Sequence, residues 1–118
     1  MAGNGRAAMT EAVSVYITTA DKAEALAIGR ALVEKRLAAC ANVIDGMRSV
    51  YRWQGEVAED DEAVLIVKTI QALAAAVIET VRGLHSYDCP CVVVLPILGG
   101  NPDYLTWIEE QTRTTDSG

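Results

Sequence analysis

Apolar and polar residues alternate over residues 12–18 (AVSVYIT), which puts Val13, Val15 and Ile17 on one side and predicts a first strand. Thr19, Ala20 and Asp21 interrupt it. Asp21 followed by Glu24 resembles a capping box, and Ala25, Ile28, Gly29, Leu32 and Val33 recur at helical spacing, predicting a helix to about Lys35. Residues 41–52 (ANVIDGMRSVYR) are strand-like but broken by Asp45 and Gly46, a place for a bulge or bend. Trp53, Gln54 and Gly55 form a turn, and the return limb passes through Glu59, Asp60, Asp61 and Glu62 into residues 63–69 (AVLIVKT), completing a long β-hairpin.

Leu73, Ala76, Val77, Thr80, Val81 and Leu84 mark one face of a second, amphipathic helix. Residues 91–98 (CVVVLPIL) follow as a strand, whose Pro96 cannot donate a ladder hydrogen bond and so belongs at a sheet edge or strand end. Asn101 as N-cap and Pro102 at the first helical position open a short last helix with Tyr104, Leu105, Trp107 and Ile108. The order β-α-β-β-α-β plus a C-terminal helix is the α+β, ferredoxin-like arrangement. Two helices cover one sheet face, whereas the strands are apolar on nearly every residue. Burial of the other face by further copies of the chain is therefore expected.

A length of 118 residues with 51% hydrophobic side chains fits one folded domain, expected over residues 12–112 between tails at 1–11 and 113–118. The net charge of -6 argues against nucleic acid as a partner, because such a surface repels phosphates. No apolar run is long enough for a membrane span or a signal peptide, which predicts a cytoplasmic protein with no membrane partner. Three cysteines in a reducing compartment are expected as thiols.

Cys89 and Cys91 flank Pro90, and His85 lies four residues upstream of Cys89. Two sulfurs on one side of an extended segment and an imidazole are soft ligands suited to copper or zinc. Against this stands Cys91 as a small hydrophobe opening a strand. The run 59–62 offers hard oxygen ligands but fits a solvated cluster that protects the hairpin edge better. Cys40, in an apolar context, reads as a core residue. Arg52, Trp53, Lys68, Tyr87 and Asp88 lie near strand ends, where a cleft gathers them or where the aromatics anchor an oligomer; both readings stay open. No phosphate-binding loop or nucleophile elbow is present, so the protein is expected not to be an enzyme.

Residues 32–57 (LVEKRLAACANVIDGMRSVYRWQGEV), 63–69 (AVLIVKT), 85–90 (HSYDCP) and 100–110 (GNPDYLTWIEE) together resemble the CutA divalent-cation tolerance family, in order and spacing, over roughly residues 12–112. The resemblance implies a ferredoxin-like subunit in an interwoven homotrimer, a role in tolerance of copper and other divalent cations, and lateral clefts like those of PII signalling proteins. Such clefts suit a metal ion or a small anionic ligand. Family members for which copper ligation is proposed carry a cysteine where this chain has Ile17. Some have paired histidines where this chain has Leu84 and His85, and the family usually has an apolar residue and a glutamate where Cys89 and Cys91 stand.

Overall fold

The computed structural model describes residues 10–113, which form β1 (Ala12–Thr19), α1 (Lys22–Glu34), β2 (Cys40–Trp53), β3 (Glu56–Ile70), α2 (Ala74–Leu84), β4 (Val92–Pro96) and α3 (Pro102–Gln111). The strands make one antiparallel sheet in the order β2-β3-β1-β4, the ferredoxin-like topology. The starts of α1 and α3 are capped as their sequences predict. Asp21 accepts the Glu24 N–H at 2.8 Å while Glu24 reaches back to the N–H of Ala20, and Asn101 accepts from Asp103. Pro96 closes β4 at the sheet edge, where its missing donor does no harm.

The core lies between the sheet and helices α1 and α2. Val13, Val15 and Ile17 of β1 and Ala63, Leu65 and Val67 of β3 pack against Ala25, Ile28, Leu32, Val77 and Val81. Gly29 lets α1 approach the sheet closely. A Cβ there would sit 2.9 Å from Ala41 Cβ and 3.1 Å from Leu65 Cδ1, so Gly29→Val is expected to destabilise by about 1–3 kcal/mol, read from urea unfolding midpoints. The buried stripe of α2 is Ala74, Val77 and Val81, narrower than expected; Ala76 and Leu84 are exposed because α2 covers only the β4 side of the sheet.

The second face is not wholly bare. α3 folds under one end of it, and Ile108 and Leu105 pack with Ala12, Ala39, Ile70 and Ile97. The rest mixes polar Ser14, Asn42 and Lys68 with apolar Ile44 and Leu95, which are 53% and 50% exposed. Cys40 is not a core residue: it is half-buried at the end of this face, with Sγ 3.5 Å from the Tyr104 hydroxyl and 4.0 Å from Lys68 Nζ. Contact with that thiol, and then burial, pushes the Tyr104 pKa up to about 12.

The hairpin extends beyond the body, giving a molecule of 53 × 32 × 22 Å. A register shift between Ile44 and Met47 marks the expected bulge, with Gly46 at φ 82°. The tip is a two-residue turn, Gln54 at φ 51° and Gly55 at φ 82°, the mirror-image turn that suits twisted strands. β1 ends opposite Ala63, so among the described residues β3 from Glu56 to Glu62 is paired only with β2. Its acidic run is part of the strand and divides by alternation: Glu59 and Asp61 flank Arg48 at 3.3 and 3.0 Å, while Asp60 and Glu62 face the other way. The expected tails lie largely outside the described residues, although Thr10 and Glu11 bond to Ile97 and Gln71 at the sheet end.

Candidate functional site

α2 ends at Leu84 with His85 as its C-cap, and the residues from there to Cys91 loop back over the end of β1 before β4 begins. The His85 side chain is fully buried and pins this loop. Its Nδ1 accepts the Tyr87 N–H at 3.0 Å, which requires that nitrogen to be unprotonated. Nε2 therefore carries the proton and donates to the Thr18 carbonyl at 2.7 Å. Glu24 holds the same loop from α1 by accepting the Ser86 N–H at 2.7 Å. Burial raises the Glu24 pKa, but hydrogen bonds from the backbone of Ala20 and Ser86 outweigh it and leave the carboxyl below its ordinary value near 4.5.

That balance has a sign. A carboxyl with a depressed pKa in the folded state stabilises fully above its unfolded value, and the contribution fades as pH falls through the folded one. Wild-type protein is thus expected to lose stability on acidification below about pH 4.5, with Glu24→Gln losing less over the same interval, as seen in thermal melts across pH 3–6.

Tyr87 then reaches the hairpin root, where its hydroxyl donates to Glu62 at 2.8 Å and Ser49 donates to the other carboxylate oxygen at 2.6 Å. Burial, followed by the Glu62 hydrogen bond and charge, raises the Tyr87 pKa well above its ordinary value. Tyr51 donates to Asp60 across the strand pair, and this bond raises the Tyr51 pKa as well. Between loop and hairpin lies an open cleft of about 570 Å³ lined by Thr18, Ser49, Val50, Tyr51, Trp53, Asp60, Glu62, Tyr87, Asp88, Cys89 and Cys91. Among the described residues, three carboxylates line it and no lysine or arginine does.

The residues singled out from sequence divide between this cleft and other places. Trp53, Tyr87 and Asp88 line the cleft, but Arg52 does not: alternation turns it to the opposite side of the hairpin, where it donates to the Gly55 carbonyl. Lys68 sits farther down the open sheet face, bonded to Asn42 at 2.8 Å. Cys89 and Cys91 both face the cleft as exposed thiols, whereas His85 is buried with both ring nitrogens engaged. Among the described residues, no three His, Cys, Asp or Glu side chains form a group able to hold one metal ion. Ser49, Tyr51, Asp60 and Glu62 add the polar groups of the hairpin to the lining, which Thr18 and Val50 complete. The i, i+2 spacing of those four polar residues on two antiparallel strands is the signal that would have found them.

The chain matches the family model described as CutA1 divalent ion tolerance protein over residues 13–111. It is 49% identical over 98 residues to the divalent-cation tolerance protein CutA of Thermus thermophilus, covering 83% of this chain and 95% of that one. It is 41% identical over 101 residues to the chloroplastic protein CutA of Arabidopsis thaliana, covering 86% of this chain but 56% of that longer one. Its fold is similar to that of the crystal structure of CutA1 from Oryza sativa, with a TM-score of 0.86 at 39% identity, covering 92% of this chain and 99% of that one. The structure from Thermus thermophilus gives 0.84 at 47% identity, covering 86% and 99%.

Proposed function

From the premise that the chain belongs to the CutA1 divalent ion tolerance family, we propose that it works as a homotrimer, without catalysis, collecting copper or a similar divalent cation weakly in its lateral clefts. One observation carries the cation reading: among the described residues, Asp60, Glu62 and Asp88 line the cleft with no basic side chain to offset them. Carboxylate oxygens suit divalent ions, and a cleft of one sign concentrates the opposite charge. Among the described residues, the donors of one chain do not make a complete metal site, and Asp60 and Glu62 already accept tyrosine and serine hydroxyls. The fit is to a loosely held ion whose coordination is completed by water or by a neighbouring subunit. A small anionic ligand, the PII-like alternative, would meet the same three carboxylates and be repelled.

Zn²⁺, which has no redox chemistry, is the probe. Calorimetric titration of the full chain is expected to show weak Zn²⁺ binding that falls at least about threefold in Asp60→Asn/Asp88→Asn, the size of effect that exposed charges produce. Unchanged binding in that variant would sink the cleft reading.

The trimer reading is supported by the half-covered sheet face and the projecting hairpin, which leave more apolar surface than a lone chain usually exposes. Light scattering at micromolar concentration should give three times the 12.6 kDa chain mass; a monomer mass would overturn it.

A further inference from the structure

We propose that Cys89 and Cys91 form a two-sulfur site for a soft monovalent cation, Cu(I). This deepens the cation reading of the same cleft by naming an ion and its donors, and a separate experiment decides it. Both thiols are exposed and line one cleft. Their relative freedom is limited. The Cys91 carbonyl accepts the Thr18 N–H at 3.3 Å, tying that residue to β1, and Pro90 fixes its own φ while restricting Cys89 to extended backbone.

The number of donors selects the ion. Structural zinc takes four ligands in a tetrahedron, and among the described residues no group of three candidate ligands exists. His85, four residues away, cannot supply the third. Its side chain is fully buried, and its two ring nitrogens are engaged with Thr18 and Tyr87. Cu(I), a closed-shell soft ion, is satisfied by two thiolates in a near-linear arrangement, and thiolate is the ligand type that selects it. Cys40 lies outside the cleft, at the far end of the open face beside Tyr104.

Charge and protons balance simply. Two neutral thiols release two protons and bind one Cu⁺, so the site changes from neutral to a single negative charge. No electron is transferred, because the copper arrives already reduced.

The test uses the full chain, reduced and free of oxygen, with Cu(I) delivered from a coloured chelator complex whose bleaching reports transfer. We expect one Cu(I) per chain, a thiolate-to-copper absorption band in the near ultraviolet, and no displacement by equimolar Zn²⁺. Cys89→Ser and Cys91→Ser should each weaken binding by at least about tenfold, while Cys40→Ser leaves it unchanged. Both variants alter exposed side chains, and matching thermal melts establish that they are folded. Undiminished Cu(I) uptake by Cys89→Ser/Cys91→Ser, or its loss in Cys40→Ser, overturns the proposal. The two readings fail separately: thiol-dependent Cu(I) uptake without Zn²⁺ binding removes the divalent-cation cleft and keeps this site. Carboxylate-dependent Zn²⁺ binding with Cu(I) indifferent to both thiols does the reverse.

Discussion

Replacing His85 by alanine is expected to release the loop between α2 and β4 and to destabilise the fold by about 3 kcal/mol. Two terms add. Removing a fully buried ring leaves a cavity, and it strips partners from the Thr18 carbonyl and the Tyr87 N–H. Each such orphaned group costs roughly 1–3 kcal/mol when it stays dry, less if the loop moves and admits water. Urea unfolding at one fixed protomer concentration measures the loss, since subunit association shifts apparent stability. Asparagine can offer an acceptor near the Nδ1 position and glutamine a donor near Nε2, so each should recover part of the loss. Wild-type stability in His85→Ala would show that the loop is held by Glu24 and Tyr87 alone.

The second large effect concerns Trp53, the last residue of β2 before the tip. It is 60% exposed in the single chain, so truncating it removes little intrachain packing and should leave the chain's own folding nearly unchanged. If the hairpin reaches a neighbouring subunit in the proposed trimer, Trp53 is expected to fill a pocket there, and Trp53→Ala should weaken association by roughly 2–4 kcal/mol, the range of buried aromatic anchors at interfaces. Light scattering on dilution and heating would show earlier dissociation. A variant that stays trimeric under both treatments while losing Zn²⁺ or Cu(I) binding would instead make Trp53 a wall of the ligand cleft, which it also lines.

Much of the site was hidden for one physical reason: its residues are joined by strand pairing and loop return. Glu59 to Glu62 look like a single run of charge along the chain. Paired with β2, they become two rows, one neutralised by Arg48 and one engaged by Ser49, Tyr51 and Tyr87. Arg52 and Trp53 are adjacent in sequence and fall on opposite sides of the hairpin. His85 and Cys89 are close in sequence, yet one is buried and the other lines solvent-filled space.

Local physics, legible in the order of residues alone, determined the elements. Alternation set the strands, capping residues set the starts of α1 and α3, Gly46 and Gly55 set the bulge and the tip, and Pro96 set the edge. Those features depend on neighbours within a few positions, which a sequence displays directly. Tertiary structure decided which polar groups converge: that α3 covers one end of the second sheet face, that Cys40 sits beside Lys68 and Tyr104, and that His85 serves as a latch. Each depends on register between strands far apart in the chain. A one-residue change in that register moves every side chain to the opposite face.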